Sequence, residues 1–359
     1  MRIFRFMLVA QTQYNQQVIF AISLIIIGLL VFFPGCGEDE DADETPLEVA
    51  GAVYVVNGAA ETISIFDIDK SEFLSDVSIP VGKWPADIKI RGDFAYVVNT
   101  GDNNVQIIDL KSNTTAGIID IGDSTAPEKI AFASDTKAYV SSNWTQSVKV
   151  VDLSSQTVVD TIGVGVAPWG VAFANGKVYV CNTEVVYGDE TIYGQGTVSV
   201  IDTVTDSVIE TINVETNPTD VVVDSSGNIL VLCTGNYAEI TGKLIVIDSQ
   251  TDSASAPVDL GTVPSGITVT SNGIAYITSF GGLLSFDIAA ISLSHDASSA
   301  LTDFAGGSGL AADVSGNVYI TVPDWTGGGQ DKLLIMDAAE QLVGDYPAGG
   351  GASMVAIKE

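Results

Sequence analysis

Tyr179-Val-Cys-Asn182, Val198-Ser-Val-Ile-Asp202, Thr211-Ile-Asn-Val214 and Pro218-Thr-Asp-Val-Val-Val223 follow one another within residues 177–223. Each run is short, rich in β-branched residues and bounded by Gly, Asn, Asp or Pro, which is the pattern of a strand ended by a turn. The Tyr-Val run recurs along the chain, at Tyr54-Val-Val-Asn57, Tyr96-Val-Val-Asn99, Tyr139-Val140, Leu230-Val231, Tyr276-Ile-Thr278 and Tyr319-Ile-Thr321. From Tyr54 to Tyr319 the mean spacing is about 44 residues. The Asp-terminated runs end at Asp67, Asp109, Asp152, Asp202, Asp248, Asp287 and Asp337. The Pro or Gly entries open at Pro85, Pro127, Pro168, Pro218, Pro264, Gly307 and Gly351. No segment of this region carries a long 3.6-residue period.

Four strands repeated every 40–50 residues or so make the blade of a β-propeller. The strings resemble the YVTN repeat, whose unit runs Tyr-Val-Thr-Asn, Val-Ser-Val-Ile-Asp, Thr-Ile-x-Val-Gly and Pro-x-Gly-Val-Ala. Repeats two to five match best, while six and seven lack the proline at the strand entry. The resemblance implies an all-β, seven-bladed β-propeller over residues 52–359 and says little about activity. The phase of the repeat adds one expectation. The region starts in the second strand of a blade and ends, at Gly351 to Glu359, with a first strand. That last strand is expected to complete the blade opened by Tyr54 and to remove the open sheet edges. A ring closed in this way needs no second copy, so a monomer is expected.

The N-terminal segment carries an address. Arg2 and Arg5 precede a polar stretch, then Val18 to Phe33 is an unbroken apolar run followed by Pro34-Gly35-Cys36. This order describes a secretory signal over residues 1–35. Gly35-Cys36 resembles the lipobox of bacterial lipoproteins, with Cys36 the lipidated residue, although Phe33 and Pro34 depart from its usual Leu and Ala or Ser. The other reading is an uncleaved anchor, short for a span. Both place the remaining chain outside the cytosol. Residues 36–51 hold seven acids and no cation, so they read as a flexible tether. The expectation is a cell-envelope lipoprotein held at the outer membrane, facing the periplasm or the cell surface.

The formal charge is −31, from 45 acids against 14 cations. Charged residues make up only 16% of the chain, so the imbalance is a shortage of cations more than an excess of acids. Beyond residue 35 Arg91 is the only arginine. Nucleic-acid binding needs clustered Lys and Arg and is disfavoured. An arginine-bearing pocket for an anionic cofactor is disfavoured on the same ground, and no cofactor is expected.

The seven repeat Asp residues read as turn formers, each accepting backbone N–H groups of the hairpin that follows. His295, the only histidine, is expected in an exposed loop. Cys181 and Cys233 lie on equivalent strands of neighbouring blades, one residue out of step, so they point across the shared interface. Two outcomes stand for them, a disulfide or two buried free thiols.

In a propeller the loops before inner strands and those between second and third strands open on one face. All four tryptophans map there: Trp84 and Trp169 flank entry prolines, and Trp144 and Trp325 lie in the inter-strand loops. The long loop of blade 4 adds Tyr187 and Tyr193, and blade 5 adds Tyr237. Exposed rings with nearby carboxylates suit a protein, peptide, glycan or cationic ligand. A weak calcium signal attaches to Asp189 with Glu190, and to Asp324 with Asp331. Two function classes follow. The first is a non-catalytic binding or scaffold module using this face. The second is a propeller-type enzyme, lactonase-like or quinoprotein dehydrogenase-like, in which Asp87, Glu128 and Asp220 are the carboxylates nearest the channel mouth. Those three are expected to be solvated.

Overall fold

The computed structural model describes residues 51–302, 304, 306–324, 326 and 329–359. Cys36, Trp325 and the leader and tether over residues 1–50 lie outside them. Among the described residues every regular element is a strand, and the strands form seven antiparallel blades.

Blades 2, 3 and 4 are the most regular. Their inner-to-outer strands are Pro85–Arg91, Phe94–Asn99, Asn104–Asp109 and Thr114–Asp120; Pro127–Phe132, Lys137–Ser142, Ser147–Asp152 and Thr157–Gly163; and Pro168–Ala174, Lys177–Asn182, Thr197–Asp202 and Ser207–Asn213. Blade 5 runs Pro218–Val223, Ile229–Cys233 and Lys243–Asp248, with its outer edge in two pieces, Ser253–Ala254 and Val258–Asp259. Pro257 lies in the gap, where a residue without an N–H cannot donate to a ladder. Blade 6 is Pro264–Val269, Ile274–Ser279, Gly282–Asp287 and Ser292–His295; blade 7 is Leu310–Ala312, Val318–Val322, Lys332–Met336 and Leu342–Pro347.

Blade 1 is built from both ends of the described chain. Ala52–Asn57, Thr62–Asp67 and Glu72–Pro80 supply three strands, and Ala352–Lys358 supplies the inner one. The closing ladder pairs Ala52 with Lys358, Tyr54 with Ala356 and Val56 with Met354. Each inner strand packs against the next around the ring, and the last packs against that of blade 2. The closure expected from the repeat phase is therefore present.

The core is a set of apolar clusters, most of them between adjacent blades. Cys181, Val198 and Val200 of blade 4 meet Val231, Ile245 and Ile247 of blade 5, all essentially unexposed. A fully buried Val, Ile or Leu contributes about 1.5–3 kcal/mol. Gly170 lets blades 4 and 5 approach, since a Cβ there would sit 3.1 Å from the Asp220 Cα.

All seven repeat Asp residues cap their hairpins. Asp109 Oδ1 accepts the N–H groups of Lys111 and Ser112, Asp152 those of Ser154 and Ser155, and Asp202 those of Val204 and Thr205. Asp67, Asp248, Asp287 and Asp337 do the same for Lys70, Gln250, Ala290 and Ala339.

Three of the repeat tyrosines tie neighbouring blades together. Tyr139 donates to Asp206 of the next blade, Tyr179 to Asp252 at 2.6 Å and Tyr276 to Glu340 at 3.2 Å. Each acceptor sits at a left-handed hairpin position, with φ of 50°, 55° and 60° respectively. Lys137 and Lys177 reach the same two aspartates, each at 2.6 Å. Blade 5 carries Leu230 in place of the tyrosine, and the matching hairpin position of blade 6 is Ile291. Where the donor is lost the acceptor is lost too, which avoids burying an unpaired group.

Candidate functional site at the channel mouth

The inner strands of blades 2 to 6 all begin with a proline followed by a β-bulge. Pro85 pairs with Asn99, but the next pair is Asp87 with Val98. In blades 3 and 4 two residues, Glu128 with Lys129 and Trp169 with Gly170, oppose the single residues Ser141 and Cys181. Blades 5 and 6 bulge at Thr219 and Ser265. Proline fixes the strand entry, and the extra residue breaks the in–out alternation and re-aims the side chains beside the axis. Glu128 and Trp169 are thus equivalent residues of adjacent blades.

The bulges gather a group of charges. Asp87 is 4% exposed. Its Oδ2 accepts the Ile130 N–H of blade 3 at 3.1 Å, and its Oδ1 lies 3.6 Å from Lys129 Nζ. Burial works against the Lys129 ammonium, but Asp87, Asp220 and Glu128 together hold it above the ordinary lysine value. Asp220, on the inner strand of blade 5, is raised by burial, with Lys129 and Lys89 pulling the other way. Glu128 is 8% exposed, and burial pushes its carboxyl up to about 8 against the pull of Lys129. The expectation that these carboxylates are solvated is corrected for Asp87 and Glu128. Both sit at the bulge that follows the entry proline of their inner strand.

Aromatic residues are carried by the loops of blades 4 and 5. The loop of blade 4 is braced by a short hairpin, Val185–Val186 with Ile192–Tyr193. Glu184 holds its base, its carbonyl accepting the Gly194 N–H and its Oε1 the Val166 N–H. This anchors Tyr193 and presents Tyr187, which is 62% exposed. In blade 5, Asn236 Oδ1 accepts the N–H groups of Ala238 and Ile240, which pins a tight loop. Tyr237 in that loop has φ +58°, an unusual conformation for a bulky residue. The Tyr193 and Tyr237 rings lie 6.4 Å apart at 56°. Burial lifts the Tyr187 phenol, and the charges of Tyr193 and Glu128 add to the effect. Burial likewise pushes Tyr237 up to about 12, with Tyr193 and Tyr187 adding. The Tyr193 and Tyr237 rings thus form one aromatic patch across blades 4 and 5.

Trp144 is exposed, its N–H held by the Thr125 carbonyl at 3.2 Å. Trp84 is exposed in a left-handed conformation before Pro85. Trp169 is half-buried, and its carbonyl accepts Ser141 Oγ at 2.6 Å.

The remaining candidates fall elsewhere. Asp189 and Glu190 are exposed in the blade 4 turn. Asp324 and Asp331 are committed to backbone groups: Asp324 accepts from Thr326 and Gly329 of its own loop, and Asp331 from Asp324 and from Ala352 of the closing strand. Among the described residues no three His, Cys, Asp or Glu side chains gather as a metal site. Cys181 and Cys233 are fully buried free thiols in one cluster. Burial raises both, Cys233 to about 12. His295 is corrected: it ends the outer strand of blade 6, half-buried, with Nδ1 2.8 Å from Ser285 Oγ.

The chain matches no family model and no curated protein. Solved structures resemble it in fold. A functionally unknown protein from Desulfotomaculum acetoxidans DSM 771 superposes with a TM-score of 0.65 at 15% identity, covering 86% of this chain and 99% of that one. A quinonprotein alcohol dehydrogenase-like protein from Bacteroides thetaiotaomicron VPI-5482 gives 0.61 at 14% identity, covering 86% and 78%. Hydrazine synthase from Kuenenia stuttgartiensis gives 0.61 at 17% identity, covering 75% and 88%. These likenesses show the fold alone, a scaffold that hosts many functions.

Proposed function

We propose that this propeller is a binding module of the bacterial cell envelope, anchored through Cys36, whose ligand is held at the channel mouth by the loops of blades 3, 4 and 5. The observation that carries this reading is the pair of Tyr193 and Tyr237, rings 6.4 Å apart on the braced loops of neighbouring blades, with Tyr187 exposed on the first of those loops. Rigid loops brace these rings, and exposed rings on a rigid scaffold are characteristic of recognition surfaces. Membrane attachment is tested separately, by replacing Cys36 with Ser and following the chain into the soluble fraction.

The binding reading is tested by a panel of glycans, peptides and amines offered to the chain and to a Trp144→Ala, Tyr237→Ala double variant. Retention is expected to fall with an unchanged melting temperature. Retention that survives this change and is lost by substitution on the opposite face, at the Asp206 or Asp252 hairpins, overturns it. An enzymatic reading is favoured by one observation. A carboxyl raised to about 8, as in Glu128, suits proton transfer near neutral pH. Turnover abolished by Glu128→Gln would select that reading.

A further inference from the structure

We propose that the paired loops of blades 4 and 5 dock a segment of another protein that carries lysine or arginine beside aliphatic or aromatic side chains. The inference rests on the binding reading above and names the chemistry of the partner.

The first observation is an exposed apolar patch that crosses two blades. Val186, Tyr187 and Ile192 of the blade 4 loop are 51%, 62% and 62% exposed, and Tyr237 and Ile240 of the blade 5 loop are 52% and 39% exposed. Val186 and Ile192 are cross-strand partners in the blade 4 hairpin, so their side chains leave it on one face. The Tyr193 and Tyr237 rings, 6.4 Å apart, join the two loops. Large apolar side chains gathered on a surface in this way mark an interaction site. Both loops are held in advance, one by its hairpin and the other by Asn236 Oδ1, which accepts the N–H groups of Ala238 and Ile240. Docking therefore costs little ordering on this side, and tyrosine offers wide contact with few torsions to fix. Aliphatic groups among the rings suit the apolar side chains of a polypeptide better than the hydroxyls of a sugar.

The second observation is the charge around that patch. Asp189, Glu190 and Glu239 are exposed in the same two loops, and none of them takes part in the ion pairs of the described residues. Neither residues 183–196 nor residues 234–242 contain lysine, arginine or histidine. Lys243, which follows the blade 5 loop, is held by Asp259 at 2.6 Å. The patch marks the surface, and the charge beside it selects the occupant. A basic partner brings the counter-charges that these loops lack, and charges at the rim of an interface set its register and speed encounter. Nucleic acid and anionic lipid are repelled by the same carboxylates. A second copy of this chain is repelled too, since it carries a formal charge of −31.

The two features leave separable signatures. Apolar contact follows the partner's aliphatic and aromatic side chains and survives salt. Attraction to exposed carboxylates is screened once the ionic strength passes about 0.1 M. Affinity is therefore expected to fall with salt towards the level that apolar contact sustains. The whole acidic ring also attracts any cation, so the local contribution must be separated from the general one. Asp76, Asp160 and Glu210 serve for this: they are exposed on the outer strands of blades 1, 3 and 4.

Fluorescence anisotropy of dye-labelled, end-blocked heptapeptides with the full chain in neutral detergent tests this. One probe alternates lysine and leucine, a second glutamate and leucine, and a third lysine and serine. The lysine–leucine peptide is expected to bind at least about tenfold more tightly than either counterpart. The triple variant Asp189→Asn, Glu190→Gln, Glu239→Gln is expected to weaken it about tenfold and to flatten its salt dependence. The control Asp76→Asn, Asp160→Asn, Glu210→Gln makes the same change of net charge and is expected to alter binding less than about twofold. No binding of the lysine–leucine peptide overturns the proposal, as does equal binding of either counterpart or an equal loss in the two triple variants. The broader reading fails on a different result, when the Trp144→Ala, Tyr237→Ala variant retains every ligand of the panel.

Discussion

Truncation after Gly350 removes the strand that closes the ring, and the structure sets the size of the effect. Residues 352–358 form the inner strand of blade 1, six of them paired with Ala52–Asn57. Ala352, Val355 and Ala356 are 0%, 7% and 8% exposed. Val355 and Ile357 pack towards Tyr319 and Leu333 of blade 7, and Met354 towards Ile88 and Val97 of blade 2. Full burial of Val355 contributes about 2 kcal/mol, the half-buried Met354 and Ile357 about 1 kcal/mol each, and the two alanines about 0.8 kcal/mol each. The lost ladder, about 1 kcal/mol per hydrogen bond, is roughly offset by the freedom regained by the released residues. The net loss is about 6 kcal/mol, comparable with the entire stability of many domains. The assay is a circular-dichroism melt of the full and truncated chains. The expected drop is about 10 °C or more, with self-association through the opened edge of Ala52–Asn57. Adding the peptide 350–359 in trans is expected to recover part of the loss. A truncated chain that melts with the full one refutes the clasp. Lys358→Ala is the control, because its ion pair with the half-exposed Asp93 is screened by water and contributes little.

Tyr179→Phe removes the hydroxyl that Asp252 accepts at 2.6 Å but leaves Lys177 on the same carboxylate, so chemical denaturation should show a loss of about 1–2 kcal/mol. A loss indistinguishable from that of an exposed Tyr237→Phe change would remove the blade-to-blade role. Cys181 and Cys233 are buried with raised values, so neither should react with iodoacetamide at pH 8 until the chain is denatured. Mass spectrometry showing native labelling at either position contradicts their placement. Asp259 is held down to about 2, chiefly by Lys243. A depressed carboxylate stabilises the fold above its unfolded value near 3.8 and loses that contribution as pH falls towards 2. The melting difference between the native chain and Asp259→Asn should therefore be present at pH 6 and vanish near pH 2.

Repetition made the fold legible. One blade is a weak signal, but seven copies of a Tyr-Val-like run, a terminal Asp and a Pro or Gly entry in constant order leave a closed ring as the consistent solution, and the phase of the last copy predicts its partner strand. The hairpin role of the seven aspartates was legible for the same reason, since an Asx turn is a local event. The site was legible only by face. The sequence places Tyr187, Tyr193 and Tyr237 in two neighbouring loops, yet the environment of Glu128 depends on a bulge of one residue. Alternation in and out of a strand has a period of two, so one inserted residue inverts every orientation beyond it. No property of Pro127-Glu-Lys-Ile130 marks that insertion. His295 departs from the expected exposed loop because the outer strand of blade 6 has little apolar content to mark it, and its place is set by pairing with Ser285. The blade-linking acids had a readable signal, an acid four residues after the repeat Asp at Asp206 and Asp252, whose meaning needs the neighbouring tyrosine.

The shortage of cations gains a structural meaning from their positions. Of the fourteen, twelve lie beyond residue 35, and ten of these stand within 4.0 Å of a carboxylate. Several of those pairs hold blades together. Arg91 of blade 2 lies over the Phe132 ring of blade 3 and pairs with Asp135; Lys137 and Lys177 reach the next blade, and Lys358 ties the closing strand to Asp93. Among the described residues only Lys89 and Lys149 make no such pair. The cations are thus committed to the architecture, while most of the acids are not matched by any. Such a surface repels anions at long range and draws cations towards it. The electrostatics of the whole ring thus disfavour an anionic ligand, so a neutral or cationic one is the kind that the aromatic loops of the proposed binding face would meet.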